Sequence, residues 1–459
     1  MLTYADAVRA LAVRGRFGVR LGLGRTRALL RELGHPERGV HGALVGGTNG
    51  KGSVLALAGA ALRAAGLRVG ETPKPHLQTY RERLMMGGRP IDPESFARLV
   101  AEALPIAERV ARRHGEPTEF ELLTALVFRW FAEQRPDVAL VEVGLGGRLD
   151  ATHAWDGGVA AVTNVDLDHM DRLGATIGAI AREKAAIIVR GDVAATGATG
   201  EALAIIRRRA RRVAAPLTVV EPAPLLGWDR DGIEVELPRL GRTRVGLRGR
   251  HQSANVALAD AVLDALEAAG IARCGPDARR RGYAAARWPG RLELVGHGSL
   301  DVLLDGAHNP SGAAALATAL DDLRPHLRGH GGSPDPEAPI TLVTASMADK
   351  DVDGVIAALA ASPALREATV ICTRVDLARS LPAEDLAARW AEIAPDVRVS
   401  AIREPTEALA RALVRAKGPV VVAGSLYLVG TARARLVDDP LLRDPPSEPD
   451  DAVEPERRR

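Results

Sequence analysis

The stretch ALVGGTNGKGSVLALAGAALRAAG, residues 43–66, joins an apolar run to a glycine-rich turn and then to a helical pattern. A strand, a loop and a helix in this order are the setting of a phosphate-binding loop. Glycines let backbone N–H groups turn toward phosphate oxygens, and the N-terminus of the helix adds a favourable dipole. Lys51 can reach the β- and γ-phosphates, and a hydroxyl beside it can coordinate magnesium.

This loop departs from the general Walker pattern in its spacing. Only three residues separate Gly46 from Gly50, and Gly52 stands where serine or threonine usually follows the lysine. Ser53 therefore comes one position later. A purely structural glycine turn is the alternative, but the strand before the loop and the lysine inside it favour a phosphate-binding role.

The rest of the chain indicates a series of strand–helix units, with a long polar loop over residues 73–90. Such a series predicts a parallel sheet with helices on both faces, so the fold class is α/β. Short alternating strands are predicted between Val219 and Val245, and Arg287–Gly290 reads as a linker before a second α/β series. We predict domains over residues 1–290 and 291–437, followed by a disordered, proline- and charge-rich tail over residues 438–459.

Composition excludes several classes of protein. Aromatic residues make up 3% of the chain, too few for a base-stacking surface, and the net charge is only +3. The basic runs Arg207–Arg212 and Arg279–Arg281 read as solvated helix faces, with anion or nucleic-acid contact as the alternative. Two distant cysteines, no apolar leader and no membrane-length apolar run predict a cytoplasmic protein without nucleic-acid or membrane partners.

Acidic residues follow two of the predicted strands. Glu142 ends the apolar run VALVEV, where an acid is costly unless it binds a cation or a donor; a salt-bridged structural glutamate is the alternative. Asp166, Asp168, His169 and Asp171 follow the run VAAVTNV. The cluster suits Mg²⁺, although a histidine ligand is less usual, and Asp171 also reads as a solvated turn acid.

Four more residues in later segments are candidates for the site. Asp305 and His308 lie between a predicted strand and a helix N-terminus, which is a ligand-facing position. Arg291 follows the linker and can face a nucleotide between domains, with a surface arginine as the alternative. Lys184, in IGAIAREKAAII, reads from its residues alone as a surface lysine whose stem lies along the helix.

Eight motifs in order make the chain resemble the folylpolyglutamate synthase/dihydrofolate synthase family of the Mur ligase superfamily. They are GGTNGKGS (46–53), PHLQTYRERL (75–84), VEVGLGGRLDAT (141–152), TNVDLDHMDRLGATIGAIAREKAAII (163–188), GRHQSANVALA (249–259), PGRLE (289–293), LDGAHNPSG (304–312) and GSLYLVG (424–430).

The resemblance implies a P-loop ATPase domain of the Mur ligase type followed by a smaller Rossmann-like α/β domain, with ATP in the cleft. It implies a ligase that adds L-glutamate to dihydropteroate, to the γ-carboxylate of a reduced folate, or to both. The expected route is an acyl phosphate, with release of ADP and phosphate. The expected cofactors are ATP and Mg²⁺, and a monomer is expected.

The resemblance also assigns roles to residues through the matching motifs. Lys51, Lys184 and His308 are expected to be catalytic. Lys184 is expected to be carbamylated by CO₂, and this expectation replaces its interpretation as a surface lysine. Metal ligands are expected at Ser53, Glu142 and His169. ATP contacts are expected at Gly47, Thr48, Asn49, Gly50, Lys51, Gly52, Ser53, Gln252, Asn255, Arg291 and Asp305.

One position departs from the family pattern. The family usually shows Thr-Ser-Pro-His-Leu where this chain has Pro73-Lys74-Pro75-His76-Leu77. The serine is expected to help bind one magnesium, which a protonated lysine cannot do. Either water fills the place, or Lys74 meets phosphate directly.

Two alternatives to the folate function are disfavoured by the sequence. A Mur-type ligase for a UDP-muramoyl substrate is disfavoured because little sequence precedes the phosphate loop to form a uridine-nucleotide domain. A nucleotide-binding regulator that has lost catalysis is disfavoured because Glu142, His169 and Lys184 are all present.

Overall fold

The computed structural model describes residues 2–15, 18, 20–377 and 379–446. Its α-helices in this range are α1 (Tyr4–Gly15), α2 (Gly24–Glu32), α3 (Lys51–Ala64), α4 (Pro93–His114), α5 (Glu119–Gln134), α6 (Met170–Leu173), α7 (Ile177–Ala185), α8 (Gly200–Val213), α9 (Gln252–Ala268), α10 (Pro276–Ala285), α11 (Pro310–Leu323), α12 (Val352–Ala360), α13 (Ala383–Ile393), α14 (Pro405–Arg415) and α15 (Leu426–Leu436).

Its strands in the same range are β1 (Gly42–Gly46), β2 (Val69–Thr72), β3 (Met85–Met86), β4 (Arg89–Pro90), β5 (Val138–Glu142), β6 (Gly158–Val162), β7 (Val193–Thr196), β8 (Leu217–Val219), β9 (Leu225–Asp229), β10 (Gly232–Leu237), β11 (Gly241–Val245), β12 (Glu293–His297), β13 (Leu300–Leu304), β14 (Thr341–Thr344), β15 (Thr369–Cys372), β16 (Arg398–Ala401) and β17 (Val420–Ala423). The predicted α/β class is confirmed.

The first sheet places the phosphate loop at its centre. Its strand order is β4-β3-β2-β5-β1-β6-β7-β8, and the strands from β2 to β8 run parallel. Val45 pairs with Glu142 on one side, and Gly46 pairs with Val162 on the other. The loops that follow β5, β1 and β6 therefore leave the sheet side by side at its carboxyl edge.

Both faces of this sheet are covered, which explains why its strands are apolar throughout. Leu44 and Val141 point into one core, whereas Val45 and Leu140 point into the core on the opposite face. Successive side chains alternate between faces, so a strand buried on both sides reads as a continuous apolar run.

Residues 73–90 are more ordered than the sequence predicted. A 3₁₀ turn at Tyr80–Arg83 and the short strands β3 and β4 replace much of the expected loop. Thr79 and Glu82 form a capping box at the start of the turn, as Thr118 and Glu121 do at the start of α5. The elements are too short to leave a periodic pattern in the sequence.

Two further sheets follow along the chain. The predicted short alternating strands form an antiparallel sheet, β11-β10-β9. The third sheet, β12-β13-β17-β14-β15-β16, is parallel except for β12 and carries a hydrophobic core on each face. The domain limits 1–290 and 291–437 stay a prediction.

The predicted disordered tail is described only as far as residue 446, and residues 447–459 lie outside the described residues. In the described part, Asp444 accepts hydrogen bonds from Thr79 and Arg81, and Asp439 lies 3.5 Å from Arg433. Residues 438–446 therefore contact both the segment of residues 73–90 and helix α15.

The two basic runs differ from each other in the structure. Arg207, Arg208, Arg211 and Arg212 lie exposed on α8, as a solvated face requires. Arg279 is instead 3% exposed and pairs with Asp260 at 2.9 Å and Asp264 at 2.8 Å. The surface interpretation was wrong for Arg279 because its partners lie on α9, which sequence adjacency does not reveal.

Within the described residues, no helix is both long and apolar enough to cross a membrane.

A buried carboxylate joins the antiparallel sheet to the third sheet. Asp301 on β13 is fully buried and accepts from Arg230 Nη2 at 2.7 Å and from Arg328 Nη2 at 3.0 Å. Arg230 lies in the turn between β9 and β10 and also donates to the carbonyl of His326 at 3.1 Å. The contacts of Arg230 with Asp301 and His326 therefore tie the antiparallel sheet to the second α/β unit.

Asp301→Asn should lower the free energy of unfolding by about 2 kcal/mol, because it leaves two arginines facing a neutral group in a partly buried place. Urea denaturation followed by circular dichroism measures the change. Glu234→Gln is the matched control, since Glu234 pairs with the exposed Arg242 on the same sheet; it should change stability by less than about 0.5 kcal/mol. Equal effects of the two substitutions would contradict this assignment.

Candidate functional site

The phosphate loop is fastened to the segment that follows β6. Thr48 N donates to the carbonyl of Asn164 at 3.0 Å, and Asn49 N donates to the Asn164 side chain at 2.9 Å. Thr163 Oγ1 donates to the Asn49 carbonyl at 2.6 Å, and Asp166 N donates to Thr48 Oγ1 at 3.0 Å. The loop conformation is therefore set by its neighbour in the sheet as well as by its own glycines.

Gly50 caps the N-terminus of α3 in the left-handed region, with φ of 82°. A side chain there would also collide with Asn255, so glycine is required both by conformation and by space. The helix therefore begins at Lys51 with its first N–H groups directed at the loop, as a phosphate-binding site needs.

Lys51 and Lys184 both donate to the same carbonyl oxygen. Lys51 Nζ lies 3.2 Å from Gly47 O and 2.9 Å from Thr48 O, and Lys184 Nζ lies 2.8 Å from Gly47 O. Lys184 is 5% exposed, so the surface reading from its residues alone was wrong. Burial, with the charge of Lys51 beside it, lowers the pKa of Lys184 to about 7.

Glu142 is buried at the carboxyl end of β5 with cations around it. Burial raises the pKa of its carboxyl, against the effect of the charges of Lys51, Lys74 and Arg291. Its Oε2 accepts from the backbone N–H of Lys74 at 2.9 Å. Glu142 therefore compensates several cations in the site and forms no single salt bridge with one of them.

Lys74 occupies the place where the family pattern led us to expect serine. Its Nζ donates to the Glu142 carbonyl at 2.7 Å and lies 4.9 Å from the centre of the Phe120 ring. Burial lowers the pKa of Lys74, while Asp150 and Glu142 oppose that effect. The ammonium group thus brings a positive charge to the end of β5, where an oxygen ligand was expected.

Two of the three predicted metal ligands suit magnesium. Ser53 and Glu142 supply buried hydroxyl and carboxylate oxygens, which Mg²⁺ prefers. His169 differs, because Lys350 Nζ lies 3.5 Å from its Nε2 and must move before that nitrogen binds a cation. No three His, Cys, Asp or Glu side chains of the described residues group as a metal site. The ligand set therefore stays a prediction.

The Asp168–His169 segment faces Lys350, which comes from the loop after β14. Lys350 Nζ donates to Asp168 Oδ1 at 2.9 Å, and both side chains are mostly buried. Although burial opposes it, Lys350 and His169 hold the pKa of Asp168 below its usual range. This ion pair connects the first sheet to the third across the cleft.

Asn49 and Asn309 form a second connection across the cleft. Asn49 Nδ2 donates to Ser311 Oγ at 2.7 Å, and Asn309 Nδ2 donates to Asn49 Oδ1 at 3.2 Å and to Asp168 Oδ2 at 3.1 Å. Asn309 is also the N-cap of α11, where its side chain accepts from Gly312 N at 2.8 Å. The N-termini of α3 and α11 are therefore held close to each other.

Asp305 and His308 lie on the turn that leads from β13 to α11. Asp305 accepts from the N–H groups of Leu292 and Ala307, both at 2.9 Å. His308 Nδ1 donates to the Gly306 carbonyl at 2.8 Å, and burial lowers its pKa to about 4. The ring is therefore neutral at pH 7, and its Nε2 is an acceptor.

The remaining predicted ATP contacts come together at the start of α9. Gln252 Nε2 donates to Ser53 Oγ at 3.4 Å, and Asn255 Nδ2 donates to Gln252 Oε1 at 2.9 Å. Trp288, in the linker, packs against Gly52. Arg291 lies near enough to Lys51 and Glu142 for its charge to affect the pKa of both.

Sequence reasoning missed Lys350, Asn309, Ser311 and Ser425. A compositional signal was available for Lys350, because the chain has only five lysines among its 61 basic residues, and four of them lie in this site: Lys51, Lys74, Lys184 and Lys350. Ser425 lies in the quoted motif GSLYLVG, and its buried hydroxyl has no partner within the described part of the chain. No local pattern marked Asn309 or Ser311.

Comparisons with known proteins agree with this architecture. Residues 290–426 match the family model described as Mur ligase, glutamate ligase domain. A Bacillus subtilis protein named dihydrofolate synthase/folylpolyglutamate synthase is 34% identical over 449 residues, which cover 94% of this chain and 99% of that protein.

Solved structures of similarly named proteins also resemble this chain over nearly its whole length. Mycobacterium tuberculosis folylpolyglutamate synthase, complexed with ADP and AMPPCP, aligns with a TM-score of 0.82 and 33% identity over 95% of this chain and 100% of that chain. Escherichia coli FolC, in complex with DHPP and ADP, aligns with a TM-score of 0.79 and 28% identity over 95% and 99% of the two chains. The similarity thus spans both α/β units.

Lys74→Ser should increase the affinity of the nucleotide-bound site for a divalent cation. The substitution removes a positive charge beside Glu142 and adds an oxygen donor, so the Kd for Mn²⁺ should fall by about tenfold. Calorimetric titration of Mn²⁺ in the presence of ADP measures it. Lys417→Ser, at the exposed lysine, is the control; an unchanged Kd in Lys74→Ser would show that Lys74 does not affect the cation site.

Proposed function

The chain belongs to the folylpolyglutamate synthase/dihydrofolate synthase family, and from that membership and its site geometry we propose its reaction. It uses ATP to join L-glutamate to dihydropteroate, to the γ-carboxylate of a reduced folate, or to both. The reaction passes through an acyl phosphate and releases ADP and phosphate.

The contact of the phosphate loop with α11 carries the proposal. Asn49 of the loop bonds Asn309 and Ser311, so the two helix N-termini face a common space between the α/β units. Two helix N-termini and nearby lysines suit a transferring phosphoryl group, because the site must neutralise negative charge. The nucleotide is proposed to lie against Gly47–Ser53, Gln252 and Asn255, with Arg291 and Asp305 contacting it from the other side.

In the first step, a carboxylate oxygen of the pterin substrate attacks the γ-phosphorus of ATP. The bond from the γ-phosphorus to its bridging oxygen breaks, and ADP leaves. Lys51, freed from the Gly47 and Thr48 carbonyls, neutralises charge on the β- and γ-phosphates. Positioning and charge neutralisation are enough for this step, and no strong base is needed.

In the second step, the amino group of glutamate attacks the acyl carbonyl, and the carbon–oxygen bond to phosphate breaks. The incoming ammonium must lose a proton before it can attack. His308 can accept a hydrogen bond from it at Nε2, because its Nδ1 donates to Gly306 and its ring is neutral. Bound phosphate would raise the pKa of His308 and make it a better proton acceptor.

Ser53 and Glu142 are the residues that would hold Mg²⁺, with His169 as a third ligand once Lys350 moves away. A magnesium ion there would neutralise charge on the phosphates and orient them for in-line attack. Lys51 and Lys74 lie near enough to Glu142 for their charges to act on its carboxyl, and they add to that positive charge.

Lys184 is proposed to be carbamylated. Its neutral amine attacks CO₂ to form an N–C bond, and one proton is released to solvent. The product carries a negative charge in place of the ammonium, which removes the repulsion from Lys51. A buried lysine whose pKa is about 7 is suited to this reaction, because much of it is unprotonated at neutral pH.

Turnover should depend on ATP, L-glutamate and a pterin carboxylate together. Coupled measurement of ADP release tests this, with dihydropteroate and tetrahydrofolate supplied separately and the products identified by mass spectrometry. One or both substrates should stimulate release by at least about a hundredfold over ATP alone. No stimulation by either substrate would contradict the folate function and leave another Mur-type ligase as the alternative.

Lys184→Ala should lose nearly all ligase activity, by about 10³-fold, and a short carboxylate or chloride at high concentration should restore part of it. ¹³C NMR with labelled bicarbonate should show a carbamate signal in the wild-type chain that grows as pH rises through about 7, because only the neutral amine reacts. The signal should be absent from Lys184→Ala and present in Lys417→Ala. Undiminished activity in Lys184→Ala would refute the carbamate role.

A further inference from the structure

We propose that Asp444, in the C-terminal strap of residues 438–446, is a positioning residue for the site loop of residues 73–83. The strap holds the site loop at one end, and the other end of the same loop contacts Glu142. This goes beyond the proposed function, although the kinetic part of its test rests on that function.

Arg81 is the first contact between strap and site loop. It is 3% exposed, and its Nε donates to Asp444 Oδ1 at 3.1 Å. Its Nη2 donates to the Arg443 carbonyl at 3.0 Å, and its Nη1 donates to the Ile91 carbonyl at 3.2 Å. A guanidinium group this buried needs a counter-charge, and within the described residues Asp444 is the carboxylate that pairs with it.

Thr79 is the second contact. Its hydroxyl donates to Asp444 Oδ1 at 2.7 Å, so the Tyr4 hydroxyl, 2.8 Å away, donates to Thr79. Burial raises the pKa of Tyr4 to about 12, which keeps its proton in place. Asp444 therefore ends a chain of hydrogen bonds that joins α1, the site loop and the strap.

The site loop is stiff between these contacts and the site. The carboxylate of Glu82 accepts from the backbone N–H groups of three successive residues, Leu77, Gln78 and Thr79, at 3.1, 2.7 and 2.8 Å. Gln78 Oε1 also accepts from Arg433 Nη1 on α15 at 2.7 Å. A displacement at Thr79 is thus carried along the backbone and is not absorbed locally.

The far end of the site loop reaches the proposed chemistry. Lys74 donates twice to Glu142, and Arg83 Nε donates to His76 Nδ1 at 2.9 Å. The Leu77 carbonyl packs directly against Gly430 of α15, where any side chain would collide with it. Loss of the counter-charge at position 444 would allow Arg81 to turn toward solvent and would loosen this placement.

The test compares Asp444→Asn with two matched variants of the full chain. Asp438→Asn alters the same strap at an exposed pair with Arg443. Asp444→Glu keeps the charge that Arg81 requires. Hydrogen exchange of the backbone amides, thermal midpoints, ADP affinity, and kcat and KM for the pterin substrate are measured for each.

Asp444→Asn should speed amide exchange at residues 77–82 by about tenfold while leaving residues 46–56 unchanged, because opening would be local. It should lower kcat/KM for the pterin substrate on the order of tenfold, with ADP affinity within about twofold of wild type, since a small misplacement of a site group is costly. Asp438→Asn should match the wild type. Asp444→Glu keeps the counter-charge, so its amide exchange at residues 77–82 and its kcat/KM should remain within about threefold of the wild type.

Three results would overturn the proposal. The first is unchanged exchange at residues 77–82 in Asp444→Asn. The second is an equal increase in exchange throughout the chain, or failure of this variant alone to fold, since either would assign Asp444 to global stability. The third is the same loss in Asp438→Asn. Were the wild-type chain to show no ligase activity, the proposed function would fail, and the exchange comparison would still decide the role of Asp444.

Discussion

The ammonium groups of the partly buried Lys51 and the buried Lys184 share the carbonyl oxygen of Gly47, and the rest of the site depends on this arrangement. Lys51 and Lys184 approach it at 3.2 and 2.8 Å. Burial of Lys184, together with repulsion from the charge of Lys51, lowers the pKa of Lys184 to about 7. The site is therefore built to receive negative charge, whether from phosphates, from a carbamate or from both.

The need to balance charge in the site also explains how the two α/β units meet. The first unit supplies the excess of positive charge around Glu142, and the second adds Lys350 opposite Asp168. Neutral amides, Asn49 and Asn309, bridge the remaining gap between the helix N-termini. Amide groups can donate and accept at once, so they connect the two units without adding further charge to a crowded cleft.

Local chemistry was enough to predict much of the site. Glu142 was predicted as a site residue because an acid in an apolar strand is costly unless it binds a cation or a donor. Lys51 was predicted because the strand, the glycines and the helix are adjacent in sequence. Lys184 could be placed only through the resemblance, since a lysine on a helix is usually solvated. Lys350 was missed because its partner Asp168 is far away in sequence, although the scarcity of lysine in this arginine-rich chain was a usable signal.

The amino-acid sequence by itself determined the α/β class, the phosphate loop and the carboxyl edge at which the acids gather, because each depends on neighbouring residues and on strand alternation. The tertiary structure alone decided that Arg279 is buried, that Lys74 rests on the carbonyl of Glu142, and that Asp444 returns to Arg81. These contacts join residues distant in sequence. Their stability comes from compensating a charge removed from water, and no local pattern records which partner will do so.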